Sequence, residues 1–197
     1  MARISMEVEG QLLPRFAPLL SKGVIVRART GCSLRDFVSE QLGVPEPYLE
    51  QRIQTIFLNG KAVDDYTTAT VTDGASLALS AAMPGLVGAT FRKGGNYGWM
   101  RKAISHERDG KPDESNHGWV KVKLFNLVLK ELGPEFLKRG VWIERGRVQA
   151  FIKNQPQEFR QHVQALPLDG TPLSTDAFLE QDLSDTSIFL NVRSFAE

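Results

Sequence analysis

The feature that most constrains this chain is that it repeats itself. Leu58-Asn59-Gly60-Lys61-Ala62-Val63 is echoed 110 positions later by Leu168-Asp169-Gly170-Thr171-Pro172-Leu173. The stretch from Val71 to Leu79 has a counterpart from Leu183 to Asn191 at offset 112, and Leu19 to Val26 has one from Phe136 to Ile143 at offset 117. The alternating Ile4, Met6, Val8 match Val120, Val122, Leu124 at offset 116. Four matches in one order, with slowly drifting offsets, are the mark of a diverged duplication. Each half must then carry its own core.

The element order within a repeat follows from hydrophobic periodicity. Ile4 to Val8 alternates as a half-buried strand does, and so does Val24 to Ala28. Ser33-Leu34-Arg35-Asp36 opens a helix: a serine hydroxyl can accept from an orphan N–H, and an aspartate favours the positive end of the dipole. Leu34, Phe37, Val38 and Leu42 fall on one helical face, and Gly43 with Pro45 ends it. Ile53 to Leu58 is the next strand, turned by Asn59-Gly60, and Ser76 to Ser80 is the last, entered through Asp73-Gly74. The second half reads as strands at Val120–Leu124 and Val141–Glu144, then a helical or looped Val148–His162 interrupted at Pro156. Strands at Val163–Leu168 and Ile188–Val192 complete it. A helix across one face of a mixed sheet makes an α+β layer. Between the halves, Thr90 to His117 is rich in glycine and polar residues and is expected to be a flexible linker.

The residues Ile56-Phe57-Leu58-Asn59-Gly60-Lys61-Ala62-Val63-Asp64, followed by Val71-Thr72-Asp73-Gly74-Ala75-Ser76-Leu77-Ala78-Leu79, resemble the ubiquitin-like β-grasp sulfur carriers. These are the small subunit of molybdopterin synthase and the thiamine sulfur carrier. The resemblance covers roughly the first ninety residues and extends weakly to the second half. It implies two tandem β-grasp domains, 1–90 and 118–197, joined by a linker at 91–117. In that family the work is done by a terminal Gly-Gly, whose carboxylate an ATP-using activating enzyme adenylates and which then carries sulfur as a thiocarboxylate. Here Gly94-Gly95 is present, but Gly95 is in amide linkage to Asn96, and the sequence ends Phe195-Ala196-Glu197. Carriage would require cleavage after Gly95.

The remaining chemistry is sparse. Cys32 precedes a helix start, where a thiol can be activated, but no His or Asn stands near it in sequence. His106, His117 and His162 lack metal-ligand spacing. Arg92, Lys93, Arg101 and Lys102 surround Tyr97 and Trp99, yet the linker as a whole holds six basic and four acidic residues, too mild a balance for a nucleic-acid face. Trp99 reads as a packing anchor. No phosphate loop, dinucleotide fingerprint or serine-nucleophile motif occurs, so a stand-alone enzyme is not expected and no cofactor is implied. The formal net charge of +1 and 24% charged residues fit a globular chain without a polyanion partner. Gly74 to Phe91 carries no charge over 18 residues, but Pro84, Gly85 and Gly88 break it, which fits a strand and a loop better than a membrane span. The first residues form no apolar signal core, so a cytoplasmic protein is expected. The expected function is non-catalytic protein–protein interaction or assembly, with Pro84, Gly85, Leu86, Val87 and Gly88 as the partner-binding loop. The partner would be another protein, either an activating enzyme or a second copy of the chain. The alternative is a precursor sulfur carrier whose terminus, Gly94-Gly95, is released by proteolysis.

Overall fold

The structure is a computed structural model and describes residues 2–106, 117–161, 163, 173–180 and 187–194. In chain order, strand β1 (Arg3–Val8) leads through a 3-10 segment, Gly10–Phe16, into α1 (Ala17–Ser21) and then β2 (Val24–Arg29). A short β3 (Cys32–Ser33) runs into α2 (Leu34–Asp36), which continues as a π turn, Phe37–Gln41. Next come α3 (Glu46–Gln51), β4 (Thr55–Leu58), β5 (Lys61–Ala62), β6 (Thr70–Val71), β7 (Ser76–Ser80) and α4 (Gly85–Phe91), followed by a 3-10 segment, Gly98–Ile104. The rest is β8 (His117–Phe125), α5 (Asn126–Arg139), β9 (Val141–Glu144), α6 (Arg145–Lys153), α7 (Gln157–Gln161), α8 (Thr175–Glu180) and β10 (Ser187–Ser194).

The chain divides into two compact units. One comprises Met1–Val24 with Lys130–Glu197, and the other Ile25–Leu129. This division differs from the one drawn on the sequence, and strand pairing shows why. The first strand of the chain, β1, pairs in parallel with the last, β10, setting Ile4 beside Leu190 and Met6 beside Val192. The strand that matches β1 in the repeat, β8, pairs in parallel with β7, setting Leu77 beside Val122 and Leu79 beside Leu124. Each first strand thus lies against the last strand of the other repeat. Equivalent strands of a duplicated fold can compete for one sheet position, as in domain swapping.

In the 25–129 unit the strand order is β2-β8-β7-β4-β5, with β4 antiparallel to β7 and to β5. The expected local signals operate. The Ser33 hydroxyl accepts from Asp36 N–H at 3.1 Å, capping α2. Leu34, Phe37, Val38 and Leu42 are all buried. The hairpin between β4 and β5 turns on Asn59 and Gly60 at φ 52° and 79°, with Leu58 opposite Lys61. Leu77 and Leu79 are buried, together with Ile56, Leu58, Val120, Val122 and Leu124, so alternate positions of three strands meet in one core. Strand β8 is held at its start as well: Asp73 Oδ1 accepts from Trp119 N–H at 2.7 Å, and Gly74 N–H donates to Trp119 O at 2.9 Å.

The other unit has the order β1-β10-β9, with β10 antiparallel to β9. Ile188, Leu190 and Val192 are buried, while Phe189 between them is only half-buried and stacks edge-on against Trp142. Phe16, Phe151 and Phe159 form an aromatic cluster with centroids 5.0 to 6.0 Å apart. The Arg147 guanidinium donates to Leu19 O and Gly23 O at 2.8 and 2.6 Å, satisfying carbonyls at the C-terminal end of α1. Both units are mixed sheets with helices, an α+β arrangement.

Several sequence expectations need correction. The Pro84–Ala89 loop is instead the start of α4, with Pro84 as the residue before its first turn. The segments before β2 and before β9 are helical, where no helix was expected. The described part of the Val148–His162 stretch, up to Gln161, is helical as α6 and α7, and the break falls at Asn154–Pro156. The expected strand Val163–Leu168, His162 and the polar loop Asp109–Asn116 lie outside the described residues, apart from Val163, which is buried. Among the described residues no helix is long and apolar enough to cross a membrane.

Candidate functional site: an exposed apolar surface on the 25–129 unit

Helix α4 follows β7 closely and packs its Phe91 ring 5.2 Å from Phe57 of β4. Gly88 is buried on its inner side, where a Cβ would lie 1.9 Å from Met83 O, so only glycine lets the helix fold back this tightly. The opposite side carries Leu86 and Val87, which are 63% and 66% exposed. These two residues are therefore exposed on a helix rather than a loop.

The chain then makes a turn that is tied down at every step. Lys93 N–H donates to Gln54 O at 2.8 Å, Gly94 N–H to Asp64 Oδ1 at 2.8 Å, Gly95 N–H to Arg92 O at 3.1 Å and Gly98 N–H to Gly95 O at 3.0 Å. Burial pushes the Lys93 ammonium below its ordinary range; it donates to Leu49 O and sits 4.7 Å above the Tyr66 ring. Arg101, its side chain 1% exposed, locks the turn from the far side. It donates to Thr90 O at 2.6 Å, Ser105 Oγ at 3.0 Å and Asp64 Oδ1 at 2.6 Å. Asp64 thus receives both Gly94 and Arg101. His106 N–H then donates to Ala62 O at 2.8 Å. Residues 92–106, expected as free linker, are anchored on the β4–β5 hairpin. Gly94-Gly95 lies inside that anchored turn.

Around the anchor, Tyr97, Trp99, Met100 and Ile104 are exposed, Trp99 by 67%. Trp99 is not a packing anchor; Arg101 has that role, and two residues of the expected basic cluster, Lys93 and Arg101, point into the fold. Among the described residues the exposed large hydrophobics are these four, Leu86, Val87, Phe125 and Leu127. All fall within the 25–129 unit. A nearby pocket of about 300 Å³ is lined by Gln51, Arg52, Gln54, Ala81, Arg92 and Leu127.

Reactive groups are not gathered here. Burial pushes the Cys32 thiol up from its ordinary range, outweighing the hydrogen bond its sulfur accepts from Gln41 Nε2 at 3.3 Å, so little thiolate forms at neutral pH. Among the described residues no cluster of three or more His, Cys, Asp or Glu has the geometry to hold a metal ion. His106 follows the 3-10 segment and His117 opens β8. The sequence expectation missed the Asp64–Arg101 pair. Its two members stand 37 positions apart, and no local pattern joins them.

Compared with protein-family models, with curated proteins and with solved structures, the chain matches none.

Proposed function

We propose that this chain is a non-catalytic protein-binding protein built from two β-grasp units that exchange their first strands, with the α4-to-Ile104 surface as its binding surface. The observation that carries the reading is that six of the eight exposed large hydrophobics among the described residues, Leu86, Val87, Tyr97, Trp99, Met100 and Ile104, stand on α4 and the anchored turn. Exposed apolar side chains scattered singly are ordinary, whereas a set built on one helix and one anchored turn marks an interaction site. The β-grasp part is supported by the order β2-β8-β7-β4-β5, in which β8 occupies the central parallel position beside the last strand. The sulfur-carrier reading is disfavoured by the anchoring of Gly94-Gly95, since an adenylating enzyme needs an extended tail with a free carboxylate. The test compares wild type with Leu86→Asp/Val87→Asp in quantitative affinity purification from the source cells. Loss of a specific protein partner with an unchanged denaturation midpoint is expected, because exposed substitutions are close to neutral for stability. Retained binding, or a cellular fragment ending at Gly95 that gains a sulfur in place of oxygen, would overturn it.

A further inference from the structure

The 25–129 unit has a second surface that the α4 reading does not use. Residues at alternate positions of a strand share a face, so Trp119, Lys121, Lys123 and Phe125 stand together on the side of β8 opposite Val120, Val122 and Leu124. All four are half-buried or exposed. Arg27 of β2 joins them, its guanidinium 6.0 Å from the Trp119 ring. The register places Ser76 beside Lys121, Ala78 beside Lys123 and Ser80 beside Phe125. Ser76 and Ala78 are small and half-buried and leave a trough along β7, which closes at the buried Ser80, whose hydroxyl accepts from Asn126 Nδ2 at 2.9 Å. Phe57, opposite Ala78 on β4 and backed by Phe91, forms its other wall. Beyond Phe125 lie Leu127 and the pocket that Arg92 lines.

The charge along this face is mainly positive: Asp73, which accepts from Trp119 N–H, stands at its start, and Lys93 and Arg101 turn into the fold. The segments 74–106 and 117–129 contain Arg92, Lys93, Arg101, Lys102, Lys121 and Lys123 and no Asp or Glu. Among the described residues no carboxylate pairs with Lys121, Lys123 or Arg92. We propose that this trough docks an extended acidic segment of a partner protein, whose carboxylates meet Arg27, Lys121, Lys123 and Arg92 and whose apolar side chains lie on Phe125 and Leu127. A protein segment fits better than single-stranded nucleic acid. Trp119 and Phe125 are six positions apart, about 20 Å at the rise of a strand, too far to stack successive bases. The inference stands on residues separate from Leu86 and Val87, so either can fail alone.

The test is fluorescence anisotropy with a labelled peptide of alternating Asp and Val. Three comparison probes are used: the same peptide with Asn for Asp, the same with Lys for Asp, and an oligouridylate of equal length. The acidic peptide should bind the intact chain and weaken with salt, and Lys121→Thr/Lys123→Thr should weaken it by about tenfold or more. Leu86→Asp/Val87→Asp should leave it unchanged. The charge-reversed Lys121→Glu/Lys123→Glu should instead bind the Lys peptide, which a merely unfolded variant would not do. Any of four results overturns the proposal: no binding of the acidic peptide, equal binding of the Asn peptide, no effect of both lysine variants, or tighter binding of oligouridylate.

Discussion

Replacing Arg101 by methionine removes three charge-assisted hydrogen bonds from the turn that carries the exposed surface and keeps much of the buried aliphatic volume. Breaking a fully buried ion pair costs about 3–5 kcal/mol, chiefly because the remaining charge is stranded. Asp64, however, is 46% exposed on its side chain and rehydrates once Arg101 is gone. The cost should fall to about 2–3 kcal/mol, a scale set by hydrogen bonds to a charged group. It should fall locally, on residues 90–106, because the strands of the core do not depend on the guanidinium. A loss of that size raises the open population of the turn by about 30- to 160-fold. Hydrogen exchange followed by mass spectrometry reads it directly. The amides of Lys93, Gly94 and Gly98 should exchange faster by about that factor, while those of β7 and β8 keep their protection. Unchanged exchange at Lys93 and Gly94 would refute the idea that Arg101 holds the turn, and equal acceleration in β7 would refute its being local.

Three further outcomes follow from the same geometry. Leu77→Ala, at a fully buried position paired with Val122, should cost about 2–5 kcal/mol in urea denaturation, and an unchanged midpoint would refute the register of β7. Gly88→Ala should displace α4, read as loss of the Phe57–Phe91 contact in aromatic NMR shifts, because the added methyl would overlap Met83 O; unchanged shifts would contradict that packing. The Asp65 carboxyl is held below its ordinary range, first by the hydrogen bond from the Thr67 hydroxyl. Its folded pKa is depressed, so its contribution is complete above the ordinary carboxylate range and is lost as pH falls through the lower folded value. Thr67→Ala should raise the Asp65 pKa in an NMR titration and shrink that acid-limb dependence, and an unmoved titration would remove the assignment.

The signals that could be read in sequence were local ones. Ser33 with Asp36, the Asn59-Gly60 turn and the alternation of Ile4–Val8 and Val120–Leu124 act within a few residues, and each forms the element expected. The helices that escaped notice carry prolines, which read in sequence as breaks. Leu12, Leu13, Phe16, Leu19 and Leu20 have helical spacing, but Pro14 and Pro18 obscure it, Pro18 lying in the first turn of α1 where its missing N–H costs nothing. Gly133-Pro134 hides α5 for another reason: Pro134 lies inside the helix, where proline ordinarily breaks it. Which last strand each first strand chooses is beyond local reading, since β1 and β8 have the same alternation and either satisfies a parallel partner. The candidate surface was half legible. An uncharged run with a glycine pair pointed to Leu86 and Val87, but their helical setting depends on the close approach of Gly88 to Met83. The exposure of Trp99 follows from Arg101 taking the buried place.

The binding claim is tested most directly by a photo-crosslinking amino acid placed at Val87 in the intact chain, compared with one at Glu135, an exposed position in the other unit. The account predicts a discrete crosslinked protein species from position 87 in cells, absent from position 135 and abolished by Trp99→Asp. Crosslinks of equal yield and identity from both positions, or none from position 87, would contradict it.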